Sequence, residues 1–270
     1  MKQKFIELNW EGGGYHGFPV APGAGADESE EEAAGWSRFD LVLAAAKRGD
    51  FSGVKSLLTI YDDADWLLCG ACAELMGDIG SRQFFDDLRP VVTSILEPTY
   101  SVDLGRSLGI WGHLSAVPTL LDTLAKIAEF VDAPALVQKI SVLLEAQPGE
   151  LGDIDGLHDI AAYSTKVRRQ VDVVASRLGT VDAIVMFGDL FSVDKLVGVM
   201  RRRLTEGSRF DPYLRHKFEA TTGVDCSGFY ADEILQPLQA LAIIEEFEDR
   251  GGANAFEPGR RYFFGHLVPD

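Results

Sequence analysis

Two of the three cysteines, Cys69 and Cys72, form a C-x-x-C pattern, the spacing of redox-active dithiols and of half a zinc site. A redox pair needs an exposed thiolate at the start of a helix, whereas this pattern lies inside the apolar stretch "ADWLLCGACAELM". A structural zinc site needs two further ligands, and the sequence has no second C-x-x-C and no spaced histidine pair. The sequence therefore favours small buried side chains at positions i and i+3 of a helix, and it predicts neither a metal nor a cofactor.

The five histidines stand apart and form none of the known metal-binding or catalytic patterns. His158 beside Asp159 comes nearest to a general-base pair, but neighbouring residues on a helix do not face each other. The sequence contains no nucleophile elbow, no phosphate-binding loop and no dinucleotide fingerprint. The glycine-rich "EGGGYHG" lacks the Lys-Ser/Thr pair of a phosphate site and predicts a turn. We therefore expect no catalytic residue.

The chain is strongly acidic, with a net charge of −17. Such a surface repels phosphate backbones and anionic lipids, so we expect neither nucleic acid nor a membrane as a partner. It favours basic proteins, although solubility alone is an equally good explanation of the acidity. The basic triplet Arg201–Arg203 is expected to offset a helix dipole or to pair with the protein's own carboxylates, and contact with nucleic acid is the less favoured alternative. No secretory signal and no membrane-length apolar run are present, and cysteines are few, so a cytoplasmic location is expected.

The elements that position these residues are mainly helices. Residues 1–36 predict a short strand, a turn and then a flexible segment rich in Gly, Ala and acid. From Ser37 the apolar residues recur at helical spacing, and no later segment alternates with period two. The sequence thus predicts an extended N-terminal segment (1–36), a helical body (37–250) and an aromatic C-terminal segment (251–270).

An internal repeat lies within the helical body. The segment "ELMGDIGSRQFFDDL" superposes on "GIWGHLSAVPTLLDTL" at an offset of 35 residues, with Gly77 on Gly112. A third copy, "MFGDLFSVDKLVGVM", places Gly188 at the same position. Ser81 and Ser192 are positioned to cap the helix that follows. A period in the mid-thirties built from helix, turn and helix is typical of an α-solenoid, in which stacked helical pairs share one core.

One copy of the repeat resembles a known family. The segment "GHLSAVPTLLDTL" is similar to the HEAT repeat, especially its lyase-type variety, whose second helix opens with Ala-Val-Pro-x-Leu; the matching residues are Ala116, Val117, Pro118, Leu120, Leu121 and Leu124. A weaker similarity links "LVLAAAKRGDFSGVKSLL" to a single ankyrin unit. The HEAT resemblance covers about two-thirds of the chain. It implies an all-α, HEAT-like solenoid of helical hairpins with a short extended N-terminal lead-in, and binding rather than catalysis.

The C-terminal "ANAFEPGRRYFFGHLVPD" concentrates aromatic residues beside two arginines. One interpretation is a cap whose aromatic side chains close the open end of the solenoid. The alternative is a recognition patch, since Tyr, Phe and Arg are common anchors of interfaces.

These features favour a protein that binds another protein in a curved groove. The second helices of a HEAT-like array line such a groove, which here is acidic; the predicted partner-binding residues are Asp86, Asp87, Asp122, Glu129, Arg261 and Tyr262. In overall character, and in its "FEPGRRYFFGH" tail, the chain is similar to immunity proteins of bacterial polymorphic toxin systems, which sequester a toxin that is often basic. That resemblance implies a monomer when free and a basic toxin domain as partner. The alternatives are an adaptor or assembly factor for an endogenous complex, and then an enzyme whose groups converge from distant repeats.

Overall fold

The computed structural model describes residues 15–16, 30–62, 64, 66–94, 97–127, 133–146, 149–152, 159–207, 210–231 and 234–270. In these ranges the chain is predominantly helical, as the sequence predicts, with three hairpins of two-residue strands. The helices are α1 (Glu30–Ala46), α2 (Val54–Asp62), α3 (Trp66–Ile79), α4 (Arg82–Ser94), α5 (Pro98–Trp111), α6 (Val117–Ile127), α7 (Ala133–Leu144), α8 (Ile160–Leu178), α9 (Val193–Glu206), α10 (Pro212–Thr222) and α11 (Pro237–Asp249). The hairpins are β1 (Val185–Met186) with β2 (Asp189–Leu190), β3 (Tyr230–Ala231) with β4 (Ile234–Leu235), and β5 (Tyr262–Phe263) with β6 (His266–Leu267).

The described chain divides into two compact units. Unit 1 runs up to Cys72 and resumes at Ser192–Val268, and unit 2 is Ala73–Phe191 with the last two residues. In unit 1, α1 packs on α2, α9 packs on α10 and α11, and β5 packs on α10. In unit 2, α5 packs on α4, α6 and α7, while α6 packs on α4 and α8.

Helix α4 shows why the residues of unit 2 form these elements. Its buried side chains are Phe84, Phe85, Leu88 and Val92. Leu88 follows the two phenylalanines by four and three residues and precedes Val92 by four, so all of them lie on one face of the helix. The side chain of Ser81 accepts a hydrogen bond from the backbone N–H of Phe84 (3.2 Å) and so caps the first turn. The predicted cap at Ser192 is likewise confirmed, because its hydroxyl accepts from the N–H of Lys195 (3.2 Å) at the start of α9.

Glycines allow the helices of unit 2 to approach closely. A Cβ atom on Gly77 of α3 would lie 2.6 Å from the Cβ of Ile110 on α5. A Cβ atom on Gly109 of α5 would lie 2.6 Å from the Cβ of Lys139 on α7. Real Cβ contacts are never this short, so each position requires glycine for the observed helix spacing. One of these positions, Gly77, is equivalent in the sequence repeat to the turn residue Gly112.

The third copy of the repeat differs from its prediction. Around Gly188 the sequence predicts a helix end and a turn, but the structure has the β1–β2 hairpin there. Phe187 and Gly188 form its two-residue turn, both with positive φ (54° and 68°). Their N–H groups donate to the carbonyls of Val142 (2.7 Å) and Leu143 (2.9 Å). The hairpin therefore caps the C-terminus of α7, where helix carbonyls lack partners of their own.

The C-terminal hairpin repeats this arrangement on α10 in unit 1. Phe264 and Gly265 form the turn with φ of 48° and 80°, and their N–H groups donate to the carbonyls of Ala220 (2.7 Å) and Thr221 (3.0 Å). The sequences "VMFGDL" and "YFFGHL" match residue for residue in their hairpin register. The tail is thus a fourth copy of the glycine motif, and it closes the end of a helix.

The start of the helical body also differs from its prediction. The sequence places it near Ser37, whereas α1 begins at Glu30. The residues Glu30–Ala34 are all Glu or Ala, which are strong helix formers, so the acidic composition that suggested a loop extends the helix instead. The rest of the predicted N-terminal segment, apart from Tyr15 and His16, lies outside the described residues.

Candidate functional site

Three of the four acidic residues predicted to bind a partner lie on the exposed faces of α4 and α6, two helices that contact each other. Asp86 is exposed and forms ion pairs with Arg89 and, at 3.8 Å, with Arg82. Asp87 is exposed and accepts a hydrogen bond from the side-chain amide of Gln83 (2.9 Å). These two carboxylates differ, because the charge of Asp86 is already balanced within α4.

Asp122 on α6 is also exposed, and it lies 3.7 Å from the guanidinium of Arg168 on α8. Glu129 falls outside the described residues. Arg261 and Tyr262 belong to unit 1, where Arg261 is buried and Tyr262 is half-buried with its ring 5.0 Å from that of Phe256. The structure therefore places three of the predicted residues, Asp86, Asp87 and Asp122, on one pair of neighbouring helices.

One arginine of the basic triplet on α9 pairs with a carboxylate of the protein itself, in agreement with one of the roles predicted for the triplet. Arg201 forms an ion pair with Glu248 of α11 within unit 1.

A polar cluster around His113 was not predicted. The imidazole stacks on the indole of Trp111 (4.6 Å between centroids, 15° between planes), and that indole stacks on the ring of Phe85 (4.6 Å). Nδ1 of His113 lies 2.8 Å from the hydroxyl of Ser115, and Nε2 lies 3.1 Å from a carboxylate oxygen of Asp182. The imidazole of His113 thus contacts a serine hydroxyl through one nitrogen and an aspartate carboxylate through the other, and these three residue types are the ones that cooperate in nucleophilic catalysis.

The surroundings of this cluster indicate a structural clamp. Asp182 is also hydrogen-bonded by Arg82, which lowers the pKa of its carboxyl group, with smaller contributions from the charges of His113 and Arg89. The histidine side chain is only 7% exposed, and its ring stacks on the indole of Trp111. Next to it, the N–H of Leu114 donates to the carbonyl of Ala183 (2.9 Å). The histidine therefore fastens the end of α5 to the segment that leads into β1.

Only part of this cluster can be recognised from the sequence. His113 and Ser115 are two residues apart, but Asp182 is distant along the chain and follows α8. Of the other histidines considered from sequence, His158 lies outside the described residues and His216 is buried in α10.

Cys69 and Cys72 are buried, as the sequence predicts, and so is Cys226. The thiol of Cys69 donates to the carbonyl of Tyr61 (3.3 Å), and burial raises the pKa of the Cys72 thiol. Burial likewise raises the pKa of Cys226. Within the described part of the chain, no group of three or more His, Cys, Asp or Glu side chains is arranged to hold a metal ion.

We expect these thiols to resist thiol–disulfide exchange with a reagent in the folded protein. Burial shields all three sulfurs from the reagent, and the raised pKa of Cys72 and of Cys226 keeps the population of their reactive thiolates low. A disulfide reagent at neutral pH should label the native protein at least roughly 100-fold more slowly than a free thiol, and label three cysteines after denaturation. Rapid labelling of Cys69 or Cys72 in the native state would contradict the buried interpretation and restore the redox or zinc hypothesis.

None of the described helices is long and apolar enough to cross a membrane. Comparisons with known proteins provide no family: no family model matches the chain, and neither a curated protein nor a solved structure is detectably similar to it. The ground for a functional assignment is therefore the geometry of the chain itself.

Proposed function

We propose that the protein binds a basic partner protein through the exposed face of α4 and α6 and performs no chemistry of its own. The observation that supports this most directly is the placement of Asp86, Asp87 and Asp122 on two contacting helices, exposed on both. This face also carries Val91, an exposed apolar side chain on α4. A polar rim with an apolar contact is a usual composition for a protein interface.

The helix packing of unit 2 fits a HEAT-like arrangement. Helix α5 contacts α7, while α6 contacts both α4 and α8. In a stack of helical hairpins, the first helix of each hairpin contacts the first helices of the neighbouring hairpins, and the second helix contacts the second helices. In such an array α4 and α6 are second helices, the ones that line the binding groove.

The electrostatics favour rapid encounter with a basic partner. The net charge of −17 attracts a cationic protein at distances up to about a Debye length, about 8 Å at physiological salt. The existing pairs of Asp86 with Arg82 and of Asp122 with Arg168 are exposed, and exposed pairs contribute only about 0.2–1 kcal/mol each. A partner's Lys or Arg can replace them at little cost.

The physiological role that agrees with this surface is that of an immunity protein, which sequesters a basic toxin domain and blocks its activity. It requires tight one-to-one binding without turnover. An adaptor for an endogenous complex is the alternative role for the same face. Co-purification with a large assembly, with no basic toxin domain among the captured proteins, would favour the adaptor.

Charge reversal tests the proposed face. The variant Asp87→Lys with Asp122→Lys should slow association roughly tenfold with a basic partner that is captured from the native cell and then purified, because electrostatic steering acts mainly on the association rate. The difference should shrink in high salt. Stopped-flow or surface-based kinetics at low and high salt measure both effects.

The matched control is Glu245→Lys with Asp249→Lys, two exposed carboxylates of α11 in unit 1. This variant changes the net charge equally and should alter the rate much less. Equal slowing by both variants would mean that only net charge matters. No slowing by the α4–α6 variant would place the interface elsewhere.

A further inference from the structure

Two described residues of the N-terminal segment, Tyr15 and His16, pack against α10 and the C-terminal hairpin within unit 1. Tyr15 is 3% exposed although it belongs to the glycine-rich "EGGGYHG". Its ring lies 5.1 Å from the ring of His216 on α10, and 5.1 Å and 6.1 Å from those of Phe263 and Phe264 in the C-terminal hairpin. Three rings thus enclose a single tyrosine, and we call the site they form with Lys47 and Glu219 the Tyr15 pocket.

Charged side chains bind the backbone of the docked residues. A carboxylate oxygen of Glu219 accepts from the backbone N–H of His16 at 2.6 Å, and the ammonium of Lys47 donates to the carbonyl of Tyr15 at 2.9 Å. Glu219 is 0% exposed, and its other oxygen lies 3.5 Å from the guanidinium of Arg215. Hydrogen bonds to charged groups are the stronger kind. One peptide bond of the segment is therefore held at both its polar atoms.

Desolvation around the Tyr15 pocket adds to these contacts. Burial lowers the pKa of Lys47, opposed by the negative charges of Glu219 and Asp40. The same ammonium lies 4.9 Å from the centre of the Phe264 ring. A buried carboxylate and a partly buried ammonium both need polar partners, and a peptide bond provides an acceptor and a donor at once.

The side chain of His16 completes the recognition. Its Nε2 lies 2.9 Å from the carbonyl of Gly223, and its ring lies 5.1 Å from that of Phe264. Glycines occupy positions 14 and 17, so no side chain immediately beside the pair contributes. The contacts that the described residues make here use the ring and carbonyl of Tyr15 and the backbone N–H and imidazole of His16, and any peptide that contains a Tyr-His dipeptide offers the same groups.

We propose that the Tyr15 pocket is a peptide-recognition site, that the chain's own Tyr15-His16 occupies it as a tethered ligand, and that a partner's Tyr-His peptide flanked by glycine displaces this segment. The proposal is independent of the α4–α6 face, since the pocket belongs to unit 1. Residues 17–29 connect the dipeptide to α1 and can span up to roughly 45 Å. A tether of this length gives an effective concentration on the order of 1 mM.

A peptide-binding experiment on the full chain tests this site. The double variant Tyr15→Gly with His16→Gly vacates the pocket, and the probe is a fluorescent synthetic peptide with the sequence of residues 11–19, EGGGYHGFP. We expect this variant to bind the probe with a Kd on the order of 100 µM, as suits a two-residue anchor. The wild-type chain should bind about tenfold more weakly, because its own segment competes at about 1 mM.

Two controls define specificity. The same peptide with its tyrosine changed to alanine should not bind the double variant. Adding Lys47→Met to the double variant should weaken binding of the probe roughly tenfold, because the bond to the tyrosine carbonyl is lost.

Other results would overturn the proposal. The first is a double variant that keeps its circular dichroism spectrum but does not bind the probe at millimolar concentration. The second is equal binding to wild type and double variant, which would place the peptide elsewhere. If the double variant is destabilised, saturating probe should raise its Tm, since a ligand that binds only the folded state stabilises it. A destabilised variant whose Tm the probe leaves unchanged would show that Tyr15-His16 is only a structural part of unit 1.

Discussion

Replacing Gly188 by alanine is expected to destabilise the protein by about 3 kcal/mol. Gly188 has a φ of 68°, a conformation that costs an L-residue about 1 kcal/mol or more. In addition, its new Cβ would lie 2.6 Å from the carbonyl oxygen of Leu144, the last residue of α7. Relieving that clash moves the hairpin away from the helix end, which weakens the two hydrogen bonds that cap it and adds a typical overpacking cost of about 1–3 kcal/mol.

Gly265, the equivalent glycine of the C-terminal hairpin β5–β6, provides the control. Gly265 has a φ of 80°, but a Cβ there meets no atom within 4 Å, so Gly265→Ala should carry only the conformational cost of about 1 kcal/mol. At about 2–4 °C per kcal/mol for a chain of this size, thermal unfolding should show a loss of roughly 10 °C for Gly188→Ala and roughly 3 °C for Gly265→Ala. Equal losses would contradict a steric role for the carbonyl of Leu144.

Two glycines of α3 should respond to the same substitution with opposite signs. In Gly77→Ala the Cβ would lie 2.6 Å from the Cβ of Ile110 and 3.0 Å from the backbone carbonyl of Ser107, so α3 and α5 must move apart. Overpacking of this kind costs about 1–3 kcal/mol, which exceeds the gain of up to about 1 kcal/mol in helix propensity. The net expectation is a destabilisation of about 1–2 kcal/mol.

Gly70→Ala is the companion variant. A Cβ at Gly70 meets nothing within 4 Å, so only the helix-propensity gain of about 0.5–1 kcal/mol remains and the variant should be stabilised. Urea unfolding followed by circular dichroism measures both. Stabilisation by Gly77→Ala would show that the close approach of α3 to α5 is dispensable, and destabilisation by Gly70→Ala would show that the space beside it is filled.

The four glycine motifs show that a repeat in the sequence does not require a repeat in the structure. Gly77, Gly112, Gly188 and Gly265 occupy the same position in a local pattern, yet they do different things. Gly77 lies inside α3 and permits a helix contact, Gly112 ends α5 with a φ of 78°, and the other two form hairpin turns. The shared motif therefore determines which positions carry glycine, whereas the contacts of each glycine in the folded chain determine its backbone conformation.

By itself the sequence determined the features that depend on neighbours within a few residues. Helical spacing of apolar residues predicts α4 and α6, serine hydroxyls predict the caps at Ser81 and Ser192, and an apolar surround predicts buried cysteines at positions 69 and 72. Each of these rests on local backbone geometry or on one face of one element. The acidic net charge is likewise a property of composition.

The tertiary structure decided what required partners far along the chain. The hairpin at Gly188 forms because the end of α7 offers carbonyls without partners of their own, the clamp at His113 needs Asp182, and the docking of Tyr15 needs α10 and the last hairpin. None of these partners is marked in the local pattern, since a helix end accepts whichever N–H groups the chain brings to it. Local periodicity specifies the elements, whereas the pairing of their polar ends depends on contacts that only the folded chain creates.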